Sequence, residues 1–147
     1  LALFRRDAEQ FAAGVTRRVE AAVDPRAALT TWIDEILGFA YDRGRAQRAA
    51  VLGTSASRGS LDPDELRRAL ELLVVPLTAV LTAVAADGTF STASPVDDAG
   101  HISAMTWETS GRMGEAASKA AKEAQRAGLL SFVGRALDVA MVDRATE

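Results

Sequence analysis

Residues 61–88 read LDPDELRRALELLVVPLTAVLTAVAADG, and the reading of this stretch decides the fold. Asp62 is a ready N-cap, Pro63 suits the first helical position, and Asp64 and Glu65 place acid on the positive end of the helix dipole. Gly88 is suited to close the other end. From Leu72 to Ala86 there is no charge, and apolar residues fall on every side of the helix. That pattern predicts a central helix surrounded by others. Pro76 lies inside it, where the missing N–H and the ring bend the axis at a cost of about 3 kcal/mol. A kink in a buried helix opens space beside it. Thr78 and Thr82, four apart after the kink, either bond back to their own helix, the simpler reading, or line such a space.

Around this stretch the composition is that of one globular domain: 147 residues, 48% hydrophobic and 25% charged. Aromatic residues are only 5%, no run alternates apolar and polar residues long enough for a paired strand, and Gly and Pro cluster where helices would stop. The expected fold class is all-α, a bundle of about six helices filling residues 1–147. The absence of cysteine excludes disulfides, thiolate metal sites and cysteine nucleophiles, and agrees with a cytoplasmic location. The uncharged run of residues 72–86 is shorter than the ~20 residues of a membrane span, so no membrane segment is expected. A formal charge of -3 and a pI near 5.2 argue against a nucleic-acid-binding face. The chain opens at Leu1 already in helical periodicity, which suggests a segment upstream.

In chain order, Leu3, Phe4, Ala8, Phe11, Val15, Val19 and Val23 recur at spacings of three and four, predicting an amphipathic first helix to about Val23. Arg5 and Arg6 sit beside Asp7 and Glu9, so a solvated face explains them better than phosphate binding. Asp24 and Pro25 start a second helix expected to end before Gly44, with Trp32, Ile36 and Phe39 on one line; such a line is more often core than cavity wall. A short helix at residues 45–52 and a Gly/Ser loop, GTSASRGS, lead to the central helix. The loop lacks the spacing of a P-loop.

Beyond Gly88, the loop GTFSTASPVDDAG precedes a helix expected to be capped by Asp97 or Asp98 and centred on Trp107. His101, the only histidine, lies three and four residues after these acids. Capping and dipole roles explain the acids, and one histidine lacks the further ligands a zinc site needs. No catalytic residue, metal or cofactor is expected. The last helix has a charged first half and an apolar second half, with Leu129, Leu130, Phe132, Val133, Leu137 and Met141 on more than one face and small residues Gly128, Ser131 and Gly134 between them. This surplus predicts a homodimer interface; the alternative is a terminal helix enclosed by its own domain.

The segments LALFRRDAEQF, DPRAALTTWIDEILGF, RAQRAAVLG and GLLSFVGRALDVA, in this order around the long central helix, resemble the effector-binding and dimerisation domain of the TetR family of transcriptional regulators. The resemblance covers essentially the whole chain and rests on helix order, lengths and turns. It implies a ligand-sensing homodimer that contacts DNA only through an N-terminal helix-turn-helix domain missing from this chain. It also implies a small-molecule effector held among the core helices. Position in the inferred helices nominates Trp32, Ile36, Phe39, Val75, Thr78, Thr82, Ser103 and Trp107 as pocket lining, apolar walls with a few hydroxyl and indole groups that suit a mostly apolar ligand. Two competing readings are a helical interaction module without a ligand and an enzyme using Asp97, Asp98 and His101.

Overall fold

A computed structural model describes residues 2–41, 62–139 and 141, with the side chains of residues 2–4 left aside. Among the described residues the chain is all-α, with five α-helices: α1 (Ala2–Glu20), α2 (Pro25–Leu37), α3 (Pro63–Ala85), α4 (Pro95–Glu115) and α5 (Lys119–Ala136). A 3₁₀ turn, Gly38–Ala40, extends α2. This is one helix fewer than the six expected; the short helix placed at residues 45–52 and the GTSASRGS loop lie outside the described residues.

Local chemistry sets the helix starts. Asp24 accepts from the Ala27 N–H at 2.7 Å ahead of Pro25, and Asp62 accepts from the Asp64 N–H at 3.0 Å ahead of Pro63. α1 stops at Glu20, short of the expected Val23, which is 93% exposed. α4 begins earlier than expected. Its N-cap is Ser94 with Pro95 behind it, not Asp97 or Asp98, which fall in the first turn. Ser94 outcompetes the acids because Pro95 fits the position directly after a cap. Gly88 has a φ of 76° and donates to the Val84 carbonyl at 3.1 Å, the left-handed turn that ends α3 as expected.

α3 is the long helix, but it is not enclosed on all sides. Leu73, Pro76, Leu77, Leu81 and Val84 are buried, while Val75 is 63% and Leu72 42% exposed. The expectation of a helix surrounded by others is therefore corrected: the helix packs inward along one face and leaves an apolar outer face. By length and composition alone α3 could also cross a membrane. Its inner face instead contributes to one core with Val15 and Val19 of α1, Leu29, Trp32, Ile33, Ile36 and Leu37 of α2, and Ile102 and Met113 of α4. Trp32 ties this core to the Pro76 turn of α3. Its indole Nε1 donates to the Leu73 carbonyl at 2.7 Å, one residue after the carbonyl that Pro76 cannot serve.

The helices are also joined by ion pairs that the sequence pattern did not announce. Arg5 of α1 holds the buried Glu65 of α3 through two nitrogens at 2.7 and 3.3 Å, and Arg68 adds a third contact at 3.2 Å. Arg5 is thus a helix-to-helix clamp rather than part of a purely solvated face. Arg18 pairs with Glu35 at 2.6 Å, fixing the other end of α1 to α2. Arg126 grips Asp34 with two bonds at 2.7 and 2.9 Å, and Lys122 donates to the Ala40 carbonyl at 2.8 Å, so the charged half of α5 fastens onto α2 and its 3₁₀ extension. Tyr41 donates to Glu123 at 2.9 Å; partial burial and this bond push its phenol pKa up.

The end of α5 accounts for the apolar surplus read there. After α5 the chain turns back, with Asp138 at a φ of 51° and the Val139 N–H donating to the Gly134 carbonyl at 2.8 Å. The Leu137 carbonyl accepts from the Ser91 N–H at 2.8 Å, which docks the α3–α4 loop and its buried Phe90 against this turn. Gly134 is small for that reason: a Cβ there would meet the Val139 carbonyl at 2.6 Å. Gly128, by contrast, faces open space.

Candidate functional site

The eight residues nominated as pocket lining are not brought together in one cavity. They divide among three places.

Trp32 and Ile36 are wholly buried, and Ser103 of α4 is buried as well. These are structural side chains: Trp32 has its hydrogen bond, and Ile36 offers its carbonyl to the Ser110 hydroxyl at 3.4 Å. Buried hydroxyls on α4 mostly serve their own helix, Thr106 bonding to the Ile102 carbonyl at 2.7 Å and Thr109 to that of Met105 at 2.8 Å. The back-bonding considered for α3 is thus a feature of α4.

Val75, Thr78 and Thr82 line an open groove of about 850 Å³ on the outer face of α3. Leu70, Val74, Ala79 and Ala83 continue its wall, and Gly100 of α4 forms the other side. The rim at one end carries Arg67, which is neutralised within its own helix by Asp64 at 3.2 Å and Glu71 at 2.8 Å. The wall is therefore apolar and uncharged in balance. Pro76 is buried on the inward face of α3 and does not line this groove, which lies on the opposite side of the helix.

Phe39 and Trp107 do meet. Their ring centroids are 5.5 Å apart with the planes tilted by 46°, and Phe11 of α1 packs edge-on against Phe39 at 5.1 Å. The three rings form a chain from α4, across the end of α2, to α1. Aromatic pairs at these separations contribute about 0.5–1.5 kcal/mol each beyond the area they bury. The end of this chain carries an anomaly. The Trp107 Nε1 is buried and has no hydrogen-bond partner. An indole N–H kept from water without an acceptor costs roughly 1–3 kcal/mol, and such groups are rare enough in folded proteins to require an explanation.

Sequence reasoning found Phe39 and Trp107 but missed Phe11 as their link. A signal was present. Phe11 is one of two aromatics, with Phe4, on the apolar stripe of α1, which otherwise continues in Ala and Val.

The acid and histidine group of α4 has no site geometry. His101 is exposed, Asp97 lies over the Ser94 cap, and Asp98 accepts a short hydrogen bond from the Thr92 hydroxyl. Among the described residues no cluster of His, Asp and Glu is arranged to hold a metal ion.

Of the residues nominated for a dimer interface, Leu129, Leu130, Val133, Leu137 and Met141 are buried within the chain's own fold, under the returning segment and the neighbouring helices. Phe132 alone of the six is turned outward, 49% exposed, with the Arg135 guanidinium 5.9 Å from its ring centre.

Comparison with family models, with curated proteins and with solved structures finds no match to this chain.

Proposed function

We propose that the chain is the ligand-sensing and dimerisation domain of a TetR-like transcriptional regulator, taking a small, mostly apolar effector that alters DNA binding by a helix-turn-helix domain upstream. The helix order of the resemblance supports this reading. The observation that carries it is the aromatic chain Trp107–Phe39–Phe11, which connects α4 to the first helix. α1 is tied at one end by Arg5 to Glu65 of α3 and at the other by Arg18 to Glu35 of α2, so a shift of α1 is felt by both helices. A ligand seated against Trp107 displaces Phe39, Phe39 bears on Phe11, and α1 changes its setting relative to α2 and α3. The effect on DNA equals the difference in ligand affinity between the two settings, and DNA must weaken ligand binding by the same factor.

The homodimer in this reading uses the outer faces of α4 and α5, with Phe132 as the exposed anchor. An exposed aromatic at an interface centre is a frequent source of binding energy. Light scattering of the 147-residue chain tests this part. The wild type is expected to be a dimer, Phe132→Glu a folded monomer, and Val133→Glu unfolded because Val133 is fully buried. A wild type that stays monomeric at high micromolar concentration sinks the dimer and weakens the regulator reading with it. Reading the coding region ahead of Leu1 tests the rest: a helix-turn-helix there supports the proposal, and any other kind of domain contradicts it.

A second reading is favoured by a different observation. Trp32 and Ile36 are wholly buried as core side chains, as in a helical interaction module that binds proteins and no small molecule. Failure of every apolar compound tried to stabilise the chain, with a partner protein captured at the α3 groove, would support it instead.

A further inference from the structure

The chain has two tryptophans, and their indole groups are treated oppositely: Trp32 Nε1 has the Leu73 carbonyl at 2.7 Å, and Trp107 Nε1 has nothing. Trp32 is wholly buried and Trp107 only partly so, but the Trp107 Nε1 atom itself is turned away from the surface. We propose that Trp107 is the polar anchor of the effector site and that its ligand is a neutral aromatic compound carrying a carbonyl-type oxygen, which accepts a hydrogen bond from Trp107 Nε1. This rests on the ligand-sensing reading and adds to it the chemistry of the ligand.

The surroundings select that class. Phe39 stands 5.5 Å from the Trp107 ring, with Phe11 behind it at 5.1 Å from Phe39, so a flat aromatic ligand finds ring faces and edges to pack on. An indole offers a donor and no acceptor, so the ligand must bring the oxygen. A carboxylate or phosphate entering beside these rings would lose hydration without a counter-charge from them, which favours a neutral acceptor such as a ketone, quinone or lactone. Discrimination follows from the same asymmetry. In the absence of ligand the N–H is already desolvated, so a ligand that supplies the acceptor gains the whole bond, whereas a hydrocarbon of equal shape leaves the donor unmet.

The test uses matched probes differing by one oxygen: acetophenone against ethylbenzene, and 2-acetonaphthone against 2-ethylnaphthalene. Binding to the 147-residue chain is followed by nitrogen–proton correlation spectra, in which Trp107→Phe identifies the two indole signals. At least one ketone is expected to bind about tenfold or more tightly than its hydrocarbon partner, moving the Trp107 signal downfield and leaving that of Trp32 in place. In Trp107→Phe the hydrocarbon affinity persists and the ketone advantage disappears. Equal affinities within both pairs, or a ketone advantage that survives Trp107→Phe, overturn the proposal while leaving an apolar effector site standing. If none of the four probes binds at millimolar concentration, the proposal falls, and the ligand-sensing reading then stands or falls by the domain encoded ahead of Leu1.

Discussion

Trp32 and Trp107 are the same side chain in two settings, and the contrast separates what holds this fold from what the fold leaves ready for use. Trp32 sits where α2 meets α3, wholly buried, its N–H bonded to the Leu73 carbonyl in the turn before Pro76. Trp107 sits at the end of a short line of rings, partly buried, with its N–H unmatched. At the first site both the apolar surface and the polar group are accounted for. At the second only the apolar surface is. Buried polar groups in folded chains are almost always paired, so the unmatched Trp107 N–H is the one that calls for an explanation among the described residues.

The largest expected effect breaks the first setting. Trp32→Phe removes the donor to the Leu73 carbonyl and leaves a void where the second ring stood. The lost hydrogen bond costs about 0.5–1.5 kcal/mol, and the lost ring adds to it. A loss of about 2–4 kcal/mol is expected in urea unfolding. A loss below about 0.5 kcal/mol would mean that the Pro76 turn is held by the helix itself and not by the indole.

How much of this was legible in the sequence follows from the same pair. The caps at Asp24 and Asp62, the proline-led starts of α2 and α3, and the glycine turn at Gly88 could be read directly, because each depends on a few adjacent residues. The enclosure of α3 could not. Leu72 and Val75 look like core residues in sequence, and only the number and placement of neighbouring helices decide that they face outward. The apolar end of α5 misled for a related reason: a turn at Asp138 folds Met141 back over the helix, and local periodicity does not reveal a reversal. Tryptophan type was legible in the site and tryptophan bonding was not, since the partner of Trp32 lies 41 residues away.

An intermediate effect tests whether the polar clamps or the packing hold α5 against α2. Arg126→Ala removes both bonds to Asp34, a bidentate pair in which Arg126 is largely covered and Asp34 is half-exposed. Such a pair near the surface is worth about 1 kcal/mol, more than an exposed single contact and less than a core residue. The change should lower the urea midpoint modestly, and raising the salt concentration should shrink the difference between wild type and variant. A difference unchanged by salt would assign the effect to lost packing of the arginine stem.

The smallest effect is expected at the second tryptophan and is the sharpest use of the comparison. Trp107→Phe is the same substitution as Trp32→Phe, yet the groups removed stand differently. Trimming the indole to a phenyl loses some apolar contact with Phe39, worth about 1–2 kcal/mol by area. It also deletes a buried N–H that has no acceptor, and relief of that desolvation returns about 1–3 kcal/mol. The two terms oppose each other and are of similar size, so the unliganded variant should lie within about 1 kcal/mol of the wild type, on either side of it. Urea unfolding of the two variants side by side reads the difference directly. If Trp107→Phe proves as costly as Trp32→Phe, the Trp107 N–H has an acceptor within the folded chain, and the distinction between the two sites collapses. If it proves neutral or stabilising, the indole is present at a cost the fold alone does not require, and the reason for it lies in what Trp107 binds.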